Sequence, residues 1–146
     1  MLNDENSPSD LLVGHTKAYT AVLVPADVNK PCATVALPAR TVDRAGHWRM
    51  LHELVGQNLR TIWYDRDVAI WLDETALGSG KKPNLRANRY VSGHSEFAAH
   101  INVNPDSPMV HLFGDLVFAG AHWPRCRDNA SFNISPRIAL YFRARN

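Results

Sequence analysis

The sequence is short of the features that announce a chemistry. Two cysteines occur in 146 residues, Cys32 and Cys126. Neither has a CxxC pair or a Cys/His cluster around it, which argues against a structural zinc site and reads as two reduced thiols. No apolar run approaches the about 20 residues needed to cross a bilayer, so no membrane span is expected. Charge of one sign is not in excess either: 16 Lys+Arg face 14 Asp+Glu, a formal net charge of +2. That is well short of the concentrated Lys/Arg stripe of a dedicated nucleic-acid binder. Internal repeats and low-complexity segments are absent.

What is present is an ordinary globular composition, 45% hydrophobic and 21% charged, sufficient for one core. Residues 1–16, rich in Asn, Asp, Ser and Pro, read as a flexible N-terminal arm, and residues 17–146 as a single domain. The opening Met1-Leu2-Asn3-Asp4-Glu5-Asn6 is acidic and polar where a signal peptide is basic and then apolar, so a cytoplasmic location is expected.

Ala18-Tyr19-Thr20-Ala21-Val22-Leu23-Val24, closed by Pro25, and Thr34-Val35-Ala36-Leu37, closed by Pro38, read as two strands of a hairpin. Asp43 is a helix cap, and Trp48, Leu51, Leu54 and Val55 follow at spacings that place them on one face, with Gly56 as the stop. From Leu59 the period becomes two. Leu59, Thr61 and Trp63 alternate with Arg60, Ile62 and Tyr64, and Val68-Ala69-Ile70-Trp71-Leu72 resumes the pattern after a turn. Residues 73–83 read as an exposed connection, 84–90 as a short helical turn or irregular segment, and 104–108 as a loop. Met109-Val110-His111-Leu112-Phe113, Leu116-Val117-Phe118-Ala119 and residues 137–143 read as further strands. One main helix among several strands predicts an α+β fold, the helix packed on a mostly antiparallel sheet.

Three blocks carry a resemblance. They are Leu51-His52-Glu53-Leu54-Val55-Gly56; Val68-Ala69-Ile70-Trp71-Leu72-Asp73-Glu74; and Pro83-Asn84 with Ala87, followed by Gly114-Asp115-Leu116-Val117-Phe118-Ala119-Gly120. In order and spacing, over about residues 48–120, the chain resembles a small domain family of unknown function common in bacteriophages, plasmids and other mobile elements of actinobacteria. Asn88 stands where that family usually has Thr, and residues 94–109 and the tail beyond Gly120 have no counterpart in it. The resemblance implies a fold and a biological setting, without a mechanism.

The chemistry is sparse. Seven histidines occur, but no HExxH or HxH spacing. His47 and His52 are five apart, about 140° around a helix, and cannot chelate together. No metal site and no cofactor are expected. Ser92-Gly93-His94-Ser95-Glu96 lacks a GxSxG elbow, and Gly78-Ser79-Gly80-Lys81-Lys82 lacks the Walker spacing. Asp65, Asp67, Asp73 and Glu74 read as solvated turn carboxylates. The set with most binding chemistry is Lys81, Lys82, Asn84, Arg86, Arg89 and Tyr90, able to hold phosphates or stack a base, with Arg125, Arg127, Arg137, Arg143 and Arg145 adding a basic C-terminal section. Trp123 beside Arg125 is a candidate interface anchor.

These readings predict a non-enzymatic accessory protein of a phage or mobile element that binds a host protein in the bacterial cytoplasm, with a homo-oligomer as one expected state. The alternatives are a nucleotide or nucleic-acid binder using segment 81–89, and a small hydrolase built on His94, Glu96, His100 and His111.

Overall fold

Both hairpins read from the alternating runs are present in a computed structural model, which describes residues 18–65, 68–92, 112–121 and 133–144. In chain order the elements are β1 (Ala18–Val24), β2 (Ala33–Pro38), α1 (Arg44–Leu54), β3 (Leu59–Asp65), β4 (Val68–Asp73), α2 (Leu85–Ser92), β5 (Leu116–Gly120) and α3 (Pro136–Arg143). The architecture is α+β, with a five-stranded sheet of order β2-β1-β5-β4-β3 in which every neighbouring pair is antiparallel. The expected N-terminal arm, residues 1–16, lies outside the described residues.

The sheet is assembled around its last strand. Within the first hairpin the register runs from Ala18 opposite Pro38 to Leu23 opposite Ala33, and within the second from Leu59 opposite Asp73 to Trp63 opposite Ala69. β5 lies between the hairpins and is the element that joins them. Its sequence, Leu-Val-Phe-Ala-Gly, is uncharged and buried throughout, as befits a strand covered on both faces. Phe118 is flanked by Val22 and Ile70, and Val117 by Leu23 and Trp71, so alternation along five residues feeds two separate cores.

α1 covers one face. The Asp43 carboxylate accepts from the Gly46 backbone N–H at 2.9 Å, and Leu51 and Val55 pack with Tyr19, Ala21, Leu37, Trp71 and Val117. Of the expected stripe, Leu51 and Val55 are buried and Trp48 and Leu54 half-buried, and Gly46 and His47 join it on the buried side. α2 and α3 cover the other face. Here Ala87, Tyr90 and Val91 join Ile138 and Phe142 over Val22, Val24, Ile70, Leu116 and Phe118. Tyr90 binds the two helices together, its ring centroid 4.7 Å from that of Tyr141 and 5.3 Å from that of Phe142.

Two expected strands are corrected. Residues 137–143 form α3, because Ser135 accepts from the Arg137 N–H at 3.3 Å and Pro136 supplies a helical φ in the first turn. Ile138 and Phe142 then fall one above the other on the buried side. Of the run 109–113, the described Leu112 and Phe113 do not form a strand; Phe113 makes a single bridge to Pro83. The backbone groups of Leu112 are taken by asparagines instead. Leu112 O accepts from Asn88 Nδ2 at 2.8 Å, and Leu112 N donates to Asn88 Oδ1 at 3.1 Å.

Among the described residues, no helix is long and apolar enough to cross a membrane.

Candidate binding surface

The basic segment begins in a tight electrostatic knot. Asp73, at the end of β4, accepts from the Thr75 N–H at 2.9 Å and the Thr75 hydroxyl at 2.7 Å, which folds the chain into the turn that follows. Lys81 Nζ donates to the Val55 carbonyl at 3.1 Å, beyond the last turn of α1, and lies 3.5 Å from Asp73 Oδ2. Burial pushes the Asp73 carboxyl up, but the Thr75 bonds and the Lys81 ammonium outweigh it and hold the group below its ordinary 3.8. Gly56 makes the close approach possible. Its φ is +150°, and a Cβ there would overlap the Asp73 carboxylate.

Asn84 is fully buried. Its amide donates to Val24 O at 2.7 Å and Gly114 O at 2.9 Å, while its oxygen accepts from Ala87 N at 3.1 Å, so one side chain caps α2 and ties it to the end of β1 and to the turn ahead of β5. Arg86 reaches the other way. Its guanidinium donates to the carbonyls of Pro25, Asp27 and Lys30 at 2.8, 3.1 and 2.7 Å, shaping the turn between β1 and β2. Tyr90 is 5% exposed, in ring contact with Phe118 as well as with α3. Lys81, Asn84, Arg86 and Tyr90 thus act inside the fold, and of the expected set Lys82 and Arg89 stand at the exposed surface. Trp123 and Arg125 lie outside the described residues, as do His94, Glu96, His100 and His111.

Reading α2 and α3 as neighbours reveals what the linear sequence hides. Arg137, Leu140 and Arg143 recur every three residues, so they drift by only about 60° per step and share the exposed side of α3. On α2, Leu85 and Arg89 are exposed at a spacing of four. Leu140 is 58% and Leu85 52% exposed, although each belongs to a helix whose opposite side is core. Neither helix contains an Asp or Glu. Two adjacent helices therefore present the same chemistry, a leucine beside arginines. The signal for α3 was in the sequence as Ser135-Pro136, a capping residue before a first-turn proline.

The α1 side is chemically different. His47 is fully buried, its Nδ1 3.1 Å from Pro38 O, and its ring meets Trp48 edge-on at 4.9 Å and Trp71 at 6.0 Å. Among the described residues, His47 Nε2 and Trp71 Nε1 have no hydrogen-bond partner. Burial lowers the His47 pKa below 6.5, opposed by the Pro38 carbonyl and helped by the nearby Arg40. The Arg40 guanidinium lies 5.3 Å from the centre of the Trp48 ring. His52 Nδ1 lies 2.9 Å from the Gly56 carbonyl, just past the end of the helix. Cys32 is buried, and burial raises its thiol pKa above 9.0 against a smaller opposing pull from Arg86. Among the described residues, no three His, Cys, Asp or Glu side chains form a group able to hold a metal.

Compared with known families, curated proteins and solved structures, the chain finds no match.

Proposed function

We propose that the protein is a non-enzymatic accessory protein of a phage or mobile element that binds a host component in the bacterial cytoplasm, with the outer surface of α2 and α3 as its contact face. One observation carries the reading: the exposed stripes of two packed helices both join leucine to arginine, with no carboxylate on either helix. Apolar side chains exposed at more than half their surface beside arginines have the composition of a protein interface centre. The face is also tied into the fold: Asn84 and Asn88 bond α2 to backbone, and the Tyr90 ring packs against Tyr141 and Phe142 of α3.

The nucleic-acid reading draws less support from the same residues. Tyr90 is packed in the core, and Arg86 is spent on three backbone carbonyls, which removes the stacking ring and one cation from the expected phosphate set. The test is capture of host components by the tagged chain and by a Leu85→Ser/Leu140→Ser variant of unchanged circular dichroism. A component retained by the parent and lost by the variant is expected. A component held equally by both would place the contact elsewhere on the molecule, and recovery of the chain bound to a second copy of itself would make the face a homo-oligomer interface.

A further inference from the structure

We infer that the component docked on this layer is an acidic protein surface, with carboxylates set around an apolar spot. The inference rests on the reading of α2 and α3 as the contact face, and goes further by naming what that face recognises.

The charge is of one sign. Arg137 and Arg143 are exposed on α3, and no carboxylate lies on α2 or α3. This bias is local, since the whole chain carries 14 acids against its 16 Lys+Arg. Both are arginines, whose planar guanidinium binds a carboxylate through two parallel N–H groups where an ammonium acts as a point charge. Both carboxylate and phosphate suit that fork, so charge by itself does not choose between them.

The leucines choose. Leu140 sits between Arg137 and Arg143, three residues from each, and is 58% exposed. A sugar-phosphate backbone offers such a side chain no apolar surface, whereas the centre of a protein interface does. Leu85 on α2 is a second exposed leucine, at 52%. Tyr90, the ring expected to stack a base, is withheld from solvent: it is only 5% exposed and engaged with Phe118, Tyr141 and Phe142. An apolar spot ringed by cations is complementary to an apolar spot ringed by anions.

The experiment uses the full chain and three labelled probes in fluorescence anisotropy: an amphipathic helical peptide of Leu and Glu, the same peptide with Lys for every Glu, and a short duplex DNA. Binding to the Leu/Glu peptide is expected, weakened about tenfold by Arg137→Glu/Arg143→Glu and several-fold by Leu140→Ser. The charge-reversed variant is expected to gain affinity for the Leu/Lys peptide, and that gain shows that it is folded. DNA bound more tightly than the Leu/Glu peptide, or a Leu/Glu peptide bound no better than its Lys counterpart, overturns the inference. The parent reading fails separately: it falls if host-component capture survives Leu85→Ser/Leu140→Ser, whatever the peptides do.

Discussion

On one face of the sheet, α1 lays a buried histidine against Trp48 and Trp71 and leaves two ring nitrogens without partners among the described residues. On the other, α2 and α3 lie over Phe118, and α2 is tied down by Asn84 and Asn88, whose amide groups are used to bind backbone. The first layer is held by ring packing and tolerates unmet polar atoms. The second is held by asparagine side chains bonded to backbone and keeps its outer side for arginine and leucine. A face whose backbone is so closely specified is suited to present side chains in a fixed arrangement, which is what a binding surface requires.

The comparison can be broken most forcefully at β5, where adjacent residues serve opposite layers. Phe118→Ala should destabilise the protein by about 4 kcal/mol and Val117→Ala by about 2 kcal/mol, from lost burial and residual cavity. Chemical denaturation read by tryptophan fluorescence and by circular dichroism checks both. Because β5 bonds to both hairpins, the two probes should report one transition in each variant. Separate transitions for Phe118→Ala would mean that the layers unfold independently.

Asn84→Ala comes next, at about 3 kcal/mol, since three buried hydrogen bonds are lost at about 1 kcal/mol each and the Val24 and Gly114 carbonyls lose its amide as donor. Its counterpart on the α1 side is His47, with a single bond to Pro38 O. Removing that bond by His47→Phe should cost less than half as much in the same denaturation assay, because the aromatic contacts are kept.

How much of this was legible beforehand depended on the range of the interactions. The hairpins were readable because alternation and the bounding prolines, Pro25 and Pro38, are local. α1 was readable from Asp43, although His47 was missing from the expected stripe because a histidine, polar on any scale, occupies a core position through one backbone carbonyl and contacts with the rings of Tyr19, Trp48 and Trp71. α3 was misread because Ile138, Leu140, Tyr141 and Phe142 favour strands as a run, and the Ser135-Pro136 cap that decides the matter was outweighed. The candidate site was half visible. Its arginines could be counted, but the partners of Lys81 and Arg86 are carbonyls 26 to 61 residues away, and the pairing of α2 with α3 is a tertiary fact.

The difference between the layers also has a pH dependence. His47 has a folded pKa below its ordinary 6.5, so the unfolded chain takes up the proton first. Its contribution to stability is complete above about 6.5 and is lost as pH falls from there through the folded value. Denaturation midpoints for the parent chain should therefore decline below neutrality. The decline should be shallower in His47→Phe, which cannot bind the proton, while Asn84→Ala, lacking any titrating change, should keep the parent slope.

The smallest effect sharpens the junction between the layers, where Lys81 joins the end of α1 to the turn after β4. Lys81→Met keeps the aliphatic stem but removes the ammonium from Val55 O and Asp73. The expected loss is about 0.5 kcal/mol, because the side chain is more than a third exposed and the pair is partly screened. The larger consequence is in acid. The Asp73 carboxyl sits below its ordinary 3.8, so its contribution to stability is present above that value and lost as pH falls through the lowered one. Without the ammonium, burial opposes only the Thr75 bonds and the folded pKa rises towards 3.8. The acid limb attributable to Asp73 should therefore shrink in Lys81→Met, and high salt should move the parent towards the variant. An unchanged acid limb would show that the two Thr75 hydrogen bonds alone hold the carboxylate.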